Sequence, residues 1–255
     1  MANISATQSG DFSATATWVG GAVPGSGDVA FANTFTVTIS DARTVQAISN
    51  AAGTGITVGG TFSVLNGCNL TCTNANGVVQ GATGTSCITT TSLGAGSAAS
   101  VAANIQQSGS ISAVTFSTTG TLNGTGQVTG VNSGSGYAAL IVSGAGTLVW
   151  TGNITAGNLN ANASGINVTG TGNVVVTGNV TGAAALGISL TGNGSVTVTG
   201  TVTGGTSSAG IGNTASGTLT VNGICQSSAT QPAIAAGSAT QITRLSGSFL
   251  SLIHI

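Results

Sequence analysis

The sequence predicts an all-β fold, a parallel β-helix (β-solenoid) with about three short strands per ~23-residue coil and an N-terminal cap. Three observations predict it. First, Ile166, Ile188, Ile211 and Ile234 lie 22, 23 and 23 residues apart, each in a small-residue setting. Val174, Val196 and Leu219 keep the same step at 22 and 23, and Val180 and Val202 are again 22 apart. A fixed period in this range means that each repeat is one supersecondary unit stacked on its neighbour. Second, each repeat holds about three runs of period-two alternation, split by TG, GN, GG or GT. Helix is excluded there, because glycine and β-branched residues recur every few positions and are poor helix formers. Third, Thr, Ser, Asn, Gly and Val dominate, the vocabulary of short strands and tight turns. The 43 glycines show no G-X-Y period, so collagen is excluded. An antiparallel β-sandwich array would explain the alternation but not the constant short period.

The elements follow in order. Residues 1–50 hold four of the five charged residues, Asp11, Asp28, Asp41 and Arg43, together with Phe12, Trp18, Phe31 and Phe35. A solenoid end exposes its core and an open strand edge. This segment is therefore read as a cap plus the first coil. Within it, Phe35, Val37 and Ile39 of TFTVTIS face one way and Thr34, Thr36 and Thr38 the other. Residues 51–249 are read as β-helix coils. In the middle, Leu70, Leu93 and Phe116 are 23 and 23 apart, and Val64, Cys87 and Ser110 (or Ile111) match that interval. Farther on the step lengthens to 26, from Leu122 to Leu148, Val128 to Ile154 and Leu140 to Ile166. Extra residues of this kind fit in a corner loop. Asn153, Asn173, Asn179 and Asn193 are expected at corners, where Asn tolerates left-handed backbone. The last six residues, LSLIHI at 250–255, break the composition and match one reading frame of a transposase-end adapter used in sequencing libraries. They are read as translated adapter, and the natural chain, an environmental fragment here, is expected to run on past Phe249.

Composition excludes several classes of function. Charged residues make up 2% of the chain, with no Lys and no Glu, and the net charge is −1. Two arginines cannot track a phosphate backbone, so nucleic acid is excluded as a partner. No apolar run reaches the ~18 residues of a membrane helix, so no membrane insertion is expected. The N-terminal MANISATQSG lacks the basic and apolar regions of a secretory signal, so a product made in a cytoplasm is expected.

Each candidate site has a plain structural reading. Cys68, Cys72, Cys87 and Cys225 have no nearby His and no zinc spacing, so they read as buried thiols, with Cys68, Leu70 and Cys72 on one side of a strand. Made in a reducing compartment, they stay thiols. From 44 to 249 there is no Asp, Glu, Lys or His and only Arg244, so no acid/base pair is available there. The aspartates serve turns instead, as Asp28 does in PGSGD. Trp18, Trp150 and Tyr137 could stack on sugars, but Trp150 shares a face with Leu148 of a core ladder and is read as core or subunit contact. Thr-rich faces could order water as an ice-binding surface does, but Thr-x-Thr is not repeated on one face at every coil. The sequons at Asn153 and Asn179 imply nothing without secretion. No catalytic, cofactor-binding or metal residue is expected, and the chain reads as a non-enzyme.

The segment TWVGGAVPGSGDVAFANTFTVTI at 17–39 resembles the entry segment of bacterial and phage β-solenoids, and the TGNVTG and VTGTVTGG repeats resemble phage tail-fibre, head-fibre and tailspike β-helices. The resemblance implies a virion structural protein made in the host cytoplasm, commonly a homotrimer packed with other virion proteins. It also implies a β-helical shaft that carries a distal module, which would contact a host surface glycan beyond the C-terminus of this chain. The alternatives are an adhesin passenger at the cell surface, and the non-catalytic part of a glycan-cleaving β-helix.

Overall fold

The computed structural model describes residues 2–51, 59–74, 78–79, 87–89, 95–106, 114–130, 138–157, 164–205, 208–227, 233–236, 242–246 and 249–250. The chain is a β-solenoid. It winds through three parallel sheets of 10, 9 and 11 strands, called sheets 1, 2 and 3 here in the order in which each coil visits them. One coil shows the plan: Leu140–Val142 lies in sheet 1, Thr147–Thr151 in sheet 2 and Ile154–Thr155 in sheet 3. The regular part makes about 7 turns, each of about 25 residues, with 3% of the protein helical.

The strands form because their side chains alternate between a buried column and the outside. In sheet 2 the strands Thr147–Thr151, Asn173–Thr177, Ser195–Thr199 and Thr218–Asn222 repeat one pattern, in which the second and fourth residues are buried. Pairing then lays like on like. Leu122, Leu148, Val174, Val196 and Leu219 form one buried column. Ile154, Val180, Val202 and Cys225 form another in sheet 3. Leu140, Ile166, Ile188 and Ile211 form a third in sheet 1. Each such side chain contributes about 1.5–3 kcal/mol relative to exposure. The isoleucine, valine and 26-residue ladders read from the sequence are these columns.

Two expectations need correction. Leu70 pairs with Val101 in sheet 2, whereas Phe116 pairs with Val142 in sheet 1, so they share no column. Leu93, Ser110 and Ile111 lie outside the described residues. Val64 pairs with Ile39, and the pairing of Phe62 with Ile88 sets Cys87 beside Thr61, not one step from Val64. The cause is a variable step: 26 from Phe62 through Ile88 and Val114 to Leu140, but 31 from Leu70 to Val101. Counting at 23 across corners of unequal length lands in different sheets.

The corner asparagines also behave differently. Among the described residues only Asn33 combines a side chain with positive φ, at 54°. The left-handed backbone at the corner from sheet 2 to sheet 3 belongs to Gly126, Gly152, Gly178 and Gly200, with φ of 122°, 140°, 148° and 145°. Asn153 and Asn179 follow two of these glycines and bond along the rod. The Asn153 Oδ1 accepts from the Asn179 amide at 3.0 Å, and the Asn179 Oδ1 accepts from the Thr201 amide at 2.9 Å. Asn173 opens a strand and accepts from the Ser195 hydroxyl at 2.6 Å. Asn193 sits exposed at a bend.

The N-terminal coils differ. Asn3–Ser5 starts sheet 3 and Gly10–Asp11 starts sheet 1, but sheet 2 begins only at Ala42–Val45. Between them Thr15–Thr17 and Val19–Gly21 make two short 3-10 turns. Phe12 and Trp18 fill the rod end, with ring centroids 4.9 Å apart in a T-shaped contact and the Trp18 Nε1 donating to the Phe12 carbonyl at 2.7 Å. Val37 and Ile39 are fully buried while Thr36 and Thr38 are not, and Phe35 is half-buried just before their strand.

Candidate functional site

The carboxylates cluster on the cap, and every described one has a partner. The Asp11 Oδ1 accepts from the Ser13 amide at 2.8 Å and the Ser13 hydroxyl at 2.5 Å, and its Oδ2 accepts from the Ser40 hydroxyl. Burial alone would raise the Asp11 pKa. The Ser13 and Ser40 hydroxyls, the Ser13 amide and the nearby Arg43 charge together outweigh that and lower it. Asp28 is also held below the usual range, first by the Ala2 amide at 2.9 Å and then by the Gly25 amide at 3.1 Å. It thereby ties the start of the chain to the PGSGD turn. Asp41 forms an ion pair with Arg43, whose guanidinium lies 5.4 Å above the centre of the Phe12 ring. With their pKa values lowered, Asp11 and Asp28 hold loops and have no proton to donate near neutral pH.

The four thiols are buried, and none is in a disulfide. Burial pushes the Cys72 thiol up to about 12 and the Cys225 thiol up to about 11, and raises Cys87 well above its ordinary value. Leu70 and Cys72 of the strand Asn69–Cys72, and Cys68 just before it, are all buried, as their parity predicts. No group of three or more His, Cys, Asp or Glu side chains is arranged to hold a metal ion among the described residues.

Trp150 is fully buried, and its Nε1 donates to the Gly126 carbonyl at 2.9 Å. It is core, not a sugar platform. Trp18 is core of the cap. Tyr137 lies outside the described residues, as does the side chain of Arg244.

One feature escapes sequence reasoning. A groove of about 450 Å³ runs along the corner between sheets 2 and 3, lined by Thr71, Cys72, Asn74, Ala103, Asn104 and Gly126, among others. The long step from Leu70 to Val101 marks its place, because the coils flanking it differ in length. Among the described residues that line it, the one titratable group is the Cys72 thiol, protonated at neutral pH. It offers carboxamides and hydroxyls but no acid/base pair.

These shifts set the pH dependence of stability. The folded carboxyl pKa values of Asp11 and Asp28 are depressed, so their stabilisation is present above about pH 4 and is lost as pH falls through the folded values. The folded thiol pKa values are raised. Their stabilisation is complete below the ordinary thiol pKa and falls away from about pH 9 toward 12, at about 1.4 kcal/mol per pH unit and thiol. Urea midpoints should therefore be level from about pH 5 to 8 and drop steeply above pH 9. A midpoint that holds through pH 10 would show that these thiols are not buried as described. An aromatic disulfide reagent at pH 8 should find no fast thiol in the native protein and all four after denaturation.

Comparison with protein-family models, with curated proteins and with solved structures finds no match to this chain. The β-solenoid architecture stands on the strand pairing alone.

Proposed function

We propose that the chain is a non-enzymatic structural protein, a β-helical shaft of a virion fibre or decoration. The observation that supports this reading is unbroken register. In sheet 2 the six strands from Ala98–Ala102 to Thr218–Asn222 pair residue for residue with one another, and a register shift enters only where Thr218–Asn222 meets Ile242–Ser246. A rod whose inter-coil hydrogen bonds run along its axis and whose apolar columns are continuous resists bending and local opening. The described carboxylates and the Arg43 guanidinium are confined to the cap, so an almost uncharged Thr/Ser/Asn surface covers the coils. No charge repulsion opposes lateral packing, which suits a homotrimer or contact with other virion proteins. Any contact with a host glycan would belong to a module beyond this chain.

The test is mass spectrometry of virus particles purified by density gradient from the source of this chain. Trypsin cuts only after Arg43 and Arg244, so a protease that cleaves at Leu, Phe and Trp is required. Peptides of this chain should track with particles through the gradient and survive a high-salt wash. Their recovery in a cell-envelope fraction instead would replace the virion reading with a cell-surface adhesin.

A further inference from the structure

The longest strands of the rod carry a surface that single-coil reading hides. Each strand of sheet 2 from Thr121–Thr125 to Thr218–Asn222 presents its first, third and fifth residues outward. The pairing aligns these into three straight columns. Thr125, Thr151, Thr177 and Thr199 form one, all exposed, continued by Asn222. Thr121, Thr147, Asn173, Ser195 and Thr218 form the second. The column between them runs from Asn123 through two valines to Thr197 and Thr220. Nine of these 15 positions are threonine. The threonines recur mainly at the two margins of the strand, four residues apart, which is why a search for Thr-x-Thr passes over them.

We propose that this face binds the surface of ice. Three properties support it. The first is spacing. Neighbouring strands lie about 4.8 Å apart and outward neighbours along a strand about 6.7 Å apart, so the columns form a rectangular grid. Its two repeats are close to those of the oxygen rows on crystal planes of ice. The second is rigidity. Threonine is stiff at χ1, and a bulge-free parallel ladder gives each residue of a column the same backbone setting, so hydroxyls and methyls recur in one orientation. Water held at one coil is then in step with water at the next, and little further ordering is needed on contact with a crystal. The third is the absence of charge. Between residues 44 and 243 there is no Asp, Glu, Lys, Arg or His, so no ionic group imposes its own hydration shell on the grid. Sheet 3 is the internal control: its two-residue strands present only one outward threonine per coil, Thr129, Thr155, Thr181 and Thr203, which makes a line and not a grid. This proposal is independent of the virion reading, because it concerns a surface and not a location.

The test grows ice slowly from a solution of the full chain and measures the ratio of protein in ice to protein in liquid, with thermal hysteresis recorded on the same samples. The variant Thr151→Lys/Thr177→Lys places two charges on adjacent coils of the exposed threonine column at one margin of the grid. Thr155→Lys/Thr181→Lys adds the same charge to the neighbouring sheet. Circular dichroism melts check the fold of both variants, and light scattering gives the mass of each species. The expected result is that the wild-type chain and the sheet 3 variant enter the ice, while the sheet 2 variant is excluded by about tenfold or more. Exclusion of all three proteins overturns the proposal, as does equal retention of all three. A wild-type oligomer that dissociates only in the sheet 2 variant, with no ice retention, would make the face a subunit interface and also overturn it.

Discussion

Replacing Gly124 with alanine should cost about 3 kcal/mol or more, the upper range for overpacking a core, although the change adds a single methyl group. Gly124 sits in a strand of sheet 2 and pairs with Trp150 on the next coil. A Cβ at Gly124 would lie 2.0 Å from Cε3 and from Cζ3 of the indole. The ring has nowhere to go. Trp150 is fully buried, and its Nε1 is fixed by the Gly126 carbonyl. The missing side chain of one coil is thus the space occupied by the large side chain of the next. Trp150→Ala should in turn cost about 3–5 kcal/mol, as burial and packing of the ring are lost.

The pair makes a sharper prediction than either residue. Their column reads Val101, Gly124, Trp150, Val176, Val198 and Val221. Gly124→Val with Trp150→Val would turn it into an unbroken valine column from Val101 to Val221. The double variant should lie within about 2 kcal/mol of the wild type, while each single valine change is far worse, a coupling of several kcal/mol. Urea midpoints of the four proteins measure this. Additive losses would mean that the indole and the glycine do not share one space.

The same pair shows how much the sequence reveals. From Ile166 onward the ladders are legible, because stacked residues are alike and the step stays at 22 or 23. Glycine in TLNGT reads as a break, and nothing within one coil explains it; only the register, 26 residues on, brings Trp150 to it. The middle fails for a related reason. Small residues are so common that a constant step finds matches by chance, and the 31-residue step after Leu70 misaligns them. For the candidate site, the local half of each aspartate's bonding is legible, Asp28 with Gly25 and Asp11 with Ser13. The other half is not, because Ala2 on Asp28 and Ser40 on Asp11 lie 26 and 29 residues away. The threonine columns are visible only once the pairing of sheet 2 is known.

Gly178→Ala should be among the most damaging single changes in the shaft, and comparison with Gly67→Ala separates its two causes. Both glycines have positive φ, 148° and 74°. Around Gly67 nothing lies within 4 Å of an added Cβ. Its replacement therefore meets only the backbone penalty for an L-residue, about 1–2 kcal/mol. At Gly178 the added Cβ would also stand 2.2 Å from the Gly152 carbonyl oxygen of the preceding coil. That neighbour is backbone and is itself held by stacking. Gly152 meets Gly126 in the same way at 2.0 Å, and Gly200 meets Gly178 at 2.3 Å. A methyl group at this corner can be accommodated only if two coils move apart, which breaks inter-coil hydrogen bonds such as that from the Gly152 amide to the Thr177 carbonyl at 2.9 Å. The cost should exceed that of Gly67→Ala by about 2 kcal/mol or more. Hydrogen exchange should show the opening centred on coils 152–200, with the cap unaffected. Equal losses at the two sites would mean that the glycine column serves backbone conformation alone. A much larger loss at Gly178 would mean that close approach of one corner to the next sets the pitch of the rod.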